Sequence, residues 1–268
     1  MGESTVWIQA AEPFDGASVL GFLEARAVAG VEEVKSGSYR RSVSLKNGRG
    51  VLSVRPETSG VRVELDLEDA ADSEDALARA RRLFDVDAAP AAIAEVLGAD
   101  PLLRPLVRAR PGMRVPGAVD GFEMAVRALV GQQVSVAGAR TVLGRLVAGF
   151  GGWPTPELLA DSDPAGFPFP RARGAALVEL ARLVAAGDLR LEPDVDLEET
   201  RSRLLAIPGV GPWTVSYIAM RALGDRDAFP RGDVALVRAL KGLNDPDPDR
   251  WRPWRSYAVM HLWHSLGS

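Results

Sequence analysis

The chain has 268 residues, 47% of them hydrophobic and 25% charged, with a formal net charge of −4. That balance excludes wholesale disorder and bounds the protein at one large domain or two to three small ones. Cysteine is absent and His261 and His264 are the only histidines, which excludes disulfides, thiol nucleophiles, iron–sulfur clusters, cysteine-type zinc and a histidine-built metal centre.

In the first 85 residues the hydrophobic pattern has period two. Arg41-Ser42-Val43-Ser44-Leu45, Gly50-Val51-Leu52-Ser53-Val54 and Val61-Arg62-Val63-Glu64-Leu65 read as strands. Lys46-Asn47-Gly48 and Glu57-Thr58-Ser59-Gly60 supply turns between them. Val19–Ala29 and Ser73–Phe84 read as helices, the second with Ser73 as its N-cap. Beyond Phe84 the pattern is helical throughout: Ala89–Leu97, Phe122–Val130, Val134–Phe150, Gly174–Ala186, Leu197–Ile207, Pro212–Leu223, Asp233–Leu240 and Arg255–Leu266. The expected fold class is α+β: an antiparallel β-sheet module over 1–86, then two all-α subdomains. One covers 113–225; the other combines 87–112 with 226–268. The cleft lies between them.

No N-terminal run joins positive charge to an apolar core, and no apolar stretch reaches about 18 residues. A cytoplasmic protein with no membrane partner is expected. The net negative charge conceals its distribution: 101–156 and 201–268 are locally basic, whereas 1–100 and 157–200 are acidic. A polyanionic partner stays open if the two basic segments share a face.

The richest motif is Leu204-Leu205-Ala206-Ile207-Pro208-Gly209-Val210-Gly211-Pro212-Trp213-Thr214. One helix ends in Pro-Gly-Val-Gly and another starts at once. Its first turn presents unpaired N–H groups, a ready phosphate site, and Pro212 fits where its missing N–H costs nothing. Asp233 follows 20 residues after Trp213, at the start of a further helix. By itself it reads equally as an N-cap or as a functional carboxylate.

The motif and this aspartate resemble the helix–hairpin–helix DNA glycosylase superfamily, and within it the 3-methyladenine DNA glycosylase II (AlkA type) family. The resemblance runs nearly end to end, through Pro13-Phe14-Asp15, Gly21-Phe22-Leu23, Val126-Arg127-Ala128-Leu129-Val130-Gly131-Gln132-Gln133-Val134-Ser135, Pro253-Trp254-Arg255-Ser256-Tyr257 and His261-Leu262-Trp263. It implies removal of alkylated purines such as 3-methyladenine and 7-methylguanine from duplex DNA by base flipping, with Asp233 as the catalytic acid. Excision passes through a positively charged sugar, which a carboxylate stabilises.

Lyase-type relatives carry a Schiff-base lysine directly after the hairpin; here that position is Trp213, and Lys35, Lys46 and Lys241 stand elsewhere. A monofunctional enzyme that leaves an abasic site is therefore expected. The resemblance further assigns Phe22, Trp213, Tyr217 and Trp263 to the base pocket, whose electron-rich rings attract cationic bases. It assigns Gln132, Gln133, Gly209, Gly211 and Thr214 to DNA. Gln133 falls where the family inserts a side chain into the gap left by the flipped nucleotide. The best-known members have leucine there, and glutamine is a departure. No catalytic cofactor is implied. The carbonyls of Leu205, Ile207 and Val210 match positions that hold a monovalent cation (Na or K) bridging to phosphate. Action as a monomer on the nucleoid is expected. Two alternatives remain: a non-catalytic helix–hairpin–helix DNA-binding protein, and a glycosylase specialised for hypoxanthine or bulky alkyl adducts. Asp227 is expected to be structural.

Overall fold

The computed structural model describes residues 2–267. Among them, β1 (Gly2–Gln9), β2 (Glu32–Lys35), β3 (Ser38–Ser44), β4 (Arg49–Glu57) and β5 (Gly60–Leu67) form one antiparallel sheet in the order β1-β5-β4-β3-β2. The period-two residues set its register, with Leu52 opposite Leu65 and Val54 opposite Val63, all four buried. The intervening Arg62, Glu64 and Asp66 face solvent. Helices α1 (Gly16–Arg26) and α2 (Ser73–Phe84) contribute Val19, Leu23, Ala80 and Phe84 to the same apolar core. β1 and β2 are the two edge strands and were not legible in the sequence. Four residues of β2 are too few to show a period, and β1 is held in place by β5.

The remaining chain is helical: α3 (Pro90–Ala99), α4 (Arg104–Ala109), α5 (Gly121–Val130), α6 (Val136–Phe150), α7 (Pro156–Ala160), α8 (Arg171–Ala185), α9 (Leu197–Leu205), α10 (Pro212–Arg221), α11 (Val234–Lys241) and α12 (Arg255–Ser265). Helix α5 is buried almost all round and forms the axis against which α8 and α10 pack. Leu129 on α5 and Leu177 on α8 are fully enclosed, so truncating either to alanine would cost about 2–5 kcal/mol. The six-residue α4 and five-residue α7 lie below the length at which a helical period can be read.

One cap differs from expectation. Ser73 is the first helical residue of α2, and Asp72 occupies the cap position. The Asp72 carboxylate caps nothing; it accepts from the Asn47 backbone N–H at 3.0 Å and side-chain amide at 2.9 Å. The β3–β4 turn outcompeted the helix for the side chain. The helix expected from Val134 starts at Val136, because Ser135 caps it by accepting from the Gly138 N–H at 3.1 Å. Val134 is thereby left in the loop.

The sheet module is bonded to the helices through buried charge. Arg41 of β3 donates to both oxygens of Glu123 on α5, at 3.0 and 2.6 Å. Arg127, one turn along α5, donates to Glu123 at 2.9 Å and to Glu32 of β2 at 2.6 Å. Burial alone would raise the Glu123 carboxyl, but Arg41 and Arg127 outweigh it and bring the group down to about 2.

Candidate active site

The α9–α10 turn and the start of α11 face each other across a cleft of about 1000 Å³. Gly209 sits in the turn at φ +91°, a conformation that a side chain would strain, with Ala176 3.5 Å from where a Cβ would stand. Gly211 needs no such freedom: its φ is −102°, and a Cβ there would meet nothing within 4 Å. Its lack of a side chain leaves the start of α10 open to close approach.

On the facing element, Asp233 caps α11. Its Oδ1 accepts from the Leu236 N–H at 2.8 Å and from the Trp263 indole at 2.9 Å, and its Oδ2 accepts from the Trp213 indole at 3.1 Å. The cap uses Oδ1 alone and leaves Oδ2 free of the helix, so the cap reading does not exclude the functional one. All three donors are neutral. They orient the carboxylate without cancelling its charge, and the side chain remains partly open to the cleft.

The rings beside it form a continuous series. Trp213 and Tyr217, one turn apart on α10, stack at 5.5 Å with 18° between planes. Tyr217 meets Trp263 of α12 at 6.2 Å, and Trp263 stacks on Phe22 of α1 at 6.5 Å. Trp213, Tyr217 and Trp263 line the cleft. Phe22 supports that wall from behind, and its neighbours Leu23 and Arg26 reach the cleft surface.

Two arginines packed against these rings escaped the sequence reading. Arg26 lies 3.6 Å over the Phe22 ring. Arg221, 3% exposed, lies 4.6 Å from the same ring and donates to the Tyr217 hydroxyl at 3.0 Å. Burial opposes ionisation of Tyr217, but Arg221 and Arg26 outweigh it and hold the phenol below its usual range. The available signal was spacing: each arginine stands four residues after the ring it contacts.

Gln132 and Gln133 occupy the loop between α5 and α6, on the cleft margin beside the hairpin. Gln133 is exposed, whereas the Gln132 amide donates to the Gly209 carbonyl at 3.0 Å and the Thr214 hydroxyl at 2.8 Å. Thr214 is buried with its hydroxyl committed to that contact. At the hairpin, the Ile207 carbonyl accepts from the Val210 N–H at 3.0 Å, and Leu205 is 48% exposed. Among the described residues, no group of three or more His, Cys, Asp or Glu side chains could hold a metal ion. Asp227 accepts from Arg255 at 2.8 and 2.9 Å and pairs with Arg252, a position that suits a structural part. No helix among the described residues is long and apolar enough to cross a membrane.

The family model of the AlkA N-terminal domain matches residues 5–120. DNA-3-methyladenine glycosylase 2 of Escherichia coli is 35% identical over 274 residues, covering 95% of each chain. A probable bifunctional transcriptional activator/DNA repair enzyme AlkA of Mycobacterium tuberculosis is 46% identical over 95% of this chain, which spans 55% of that protein's length. Among solved structures, a 3-methyladenine DNA-glycosylase from Archaeoglobus fulgidus superposes with a TM-score of 0.81 at 20% identity, covering 98% of this chain and 97% of that one. That last likeness is one of fold. The near full-length match to the Escherichia coli protein shows that the chain belongs to the DNA-3-methyladenine glycosylase 2 (AlkA) family.

Proposed function

We propose that the protein is a monofunctional DNA glycosylase that flips alkylated purines of the 3-methyladenine and 7-methylguanine type out of duplex DNA, hydrolyses the N-glycosidic bond and leaves an abasic site. The observation that carries this is Asp233: a carboxylate held by two indoles and one backbone amide, beside an aromatic wall that lines an open cleft. A cationic base stacks on Trp213 and Tyr217. The C1′–N bond breaks with its electron pair going to the base, and Asp233 stabilises the positive sugar that remains. Water then bonds to C1′ and gives up a proton. Trp213 stands where a lyase needs an amine, and an indole cannot form a Schiff base.

The reading extends to the DNA grip. Gly209, Gly211 and the first turn of α10 approach a phosphate, and Gln133 fills the gap left by the flipped base. The carbonyls of Leu205, Ile207 and Val210 are neutral, hard oxygen donors, a set that suits Na or K and no softer metal. Such a cation would anchor phosphate and take no part in catalysis. With the helical part divided into 113–225 and 87–112 plus 226–268, the cleft falls between the two. The protein acts as a monomer, on the nucleoid.

The test is base release from methylated duplex DNA by the wild type and by Asp233→Asn. Release of 3-methyladenine and 7-methylguanine by the wild type alone, with strand breaks only after alkali, is expected. Equal DNA binding by both proteins with no release from any lesion would leave a non-catalytic DNA-binding protein instead.

A further inference from the structure

Gln133 holds φ at +58° with its side chain exposed. It lies in the turn after α5, where a left-handed residue commonly ends a helix, but glycine or asparagine is the usual choice there. Glutamine lacks the short side chain with which asparagine and aspartate bond their own backbone, so a left-handed geometry persists only where the surroundings over-determine it. The residue before it supplies those surroundings. The Gln132 carbonyl, which belongs to the peptide plane shared with Gln133, accepts from Arg173 of α8 at 2.9 Å. The Gln132 amide reaches the other way, to the Gly209 carbonyl and the Thr214 hydroxyl of the hairpin. Arg173 thus holds the plane from which the rotation at Gln133 is measured, and the Gln132 side chain ties the residue that carries it to the hairpin.

We propose that Gln132 and Arg173 form a brace that keeps Gln133 in its left-handed conformation at a fixed offset from the hairpin, so that the gap-filling side chain and the phosphate grip engage the duplex as one body. The proposal rests on the reading of Gln133 as the residue that enters the stack. Both brace residues act through Gln133 and are positioning residues. Losing the brace penalises the step in which a base leaves a paired stack, and spares bond cleavage once the base is out.

The experiment is single-turnover excision of 7-methylguanine from two duplexes, one with cytosine opposite the lesion and one with an abasic-site analogue opposite it. The readout is the ratio of the two rates in the wild type, Arg173→Ala, Arg173→Lys, Gln132→Met and Gln133→Ala. Arg173→Ala and Gln132→Met are each expected to lower the paired-to-unpaired ratio about tenfold. Gln133→Ala should give the same pattern, and Arg173→Lys, which keeps a donor, should recover part of the loss. A ratio lowered by Gln133→Ala but unmoved by Arg173→Ala and Gln132→Met would overturn the brace and leave Gln133 in its role. A ratio unmoved by Gln133→Ala would remove that role and the brace with it. Equal slowing on both duplexes would show a general structural defect and also overturn the proposal.

Discussion

Carboxylates are treated in opposite ways at the seam between sheet and helices and in the cleft. At the seam, Glu123 is enclosed and gripped by Arg41 and Arg127, so its charge is cancelled where it stands. In the cleft, the three N–H donors to Asp233 among the described residues are all neutral, and the carboxylate keeps a path to the open space. The first arrangement fixes one module against another; the second leaves a negative charge available to a cation that arrives with the substrate. Local geometry is equally well defined in both, so what separates them is the charge of the hydrogen-bond donors together with access to the open cleft.

Removing one partner of the seam network should have the largest effect. Glu123→Ala leaves two buried guanidinium groups short of a counter-charge and is expected to destabilise the fold by about 3–5 kcal/mol, read from urea denaturation. Asp233→Asn should spare stability and lower excision about 10³-fold, measured by single-turnover base release. If Asp233→Asn instead lost stability and kept activity, the contrast would be reversed.

Asp85 sharpens the comparison, because it lies at the seam yet accepts from neutral donors. Its Oδ2 takes the Val115 N–H at 3.1 Å and the Tyr257 hydroxyl at 2.9 Å. Burial raises it to about 6, against these hydrogen bonds and the nearby Arg114 and Arg226, which pull it down. The folded protein therefore binds this proton more tightly than the unfolded chain. The stability contributed is full below about 4 and is lost as pH rises through about 6. Asp85→Asn keeps one oxygen for both donors, so it should gain stability relative to the wild type across that window, by about 2–3 kcal/mol. His261, whose buried imidazole is held down to about 4, changes in the opposite sense over an overlapping range. The difference between the two proteins, followed by thermal melting at several pH values, isolates Asp85. The smallest effect should come from Trp263→Phe, which keeps a ring but removes one donor to Asp233. About a tenfold slower excision with little change in DNA affinity is expected.

Much of the site was visible before any coordinates. Trp213 and Tyr217 share a helical face by spacing, and the hairpin announced itself by its glycines, although only Gly209 uses the conformational freedom that glycine offers. Arg221, Arg26 and Arg173 were not visible as parts of the site. Arg173 bonds a backbone carbonyl in a distant loop, and although Arg26 and Arg221 stand one turn after their rings, an arginine at that spacing is equally at home on a solvated face. The bond from Gln132 to the hairpin was not visible either, because the α5–α6 loop and the α9–α10 turn meet only once the chain is folded.

The sequence by itself determined the α+β class, the central strands, most of the helices and the identity of the hairpin, since these follow from periodicity and from local backbone preferences. Missing lysine after the hairpin and missing cysteine were equally plain there. Tertiary structure alone decided which donors surround Asp233 and which charges cancel at the seam. It also decided how Gln133 is held. Most of those contacts join residues about 20 to 95 positions apart, and such contacts are set by packing, which no local pattern records.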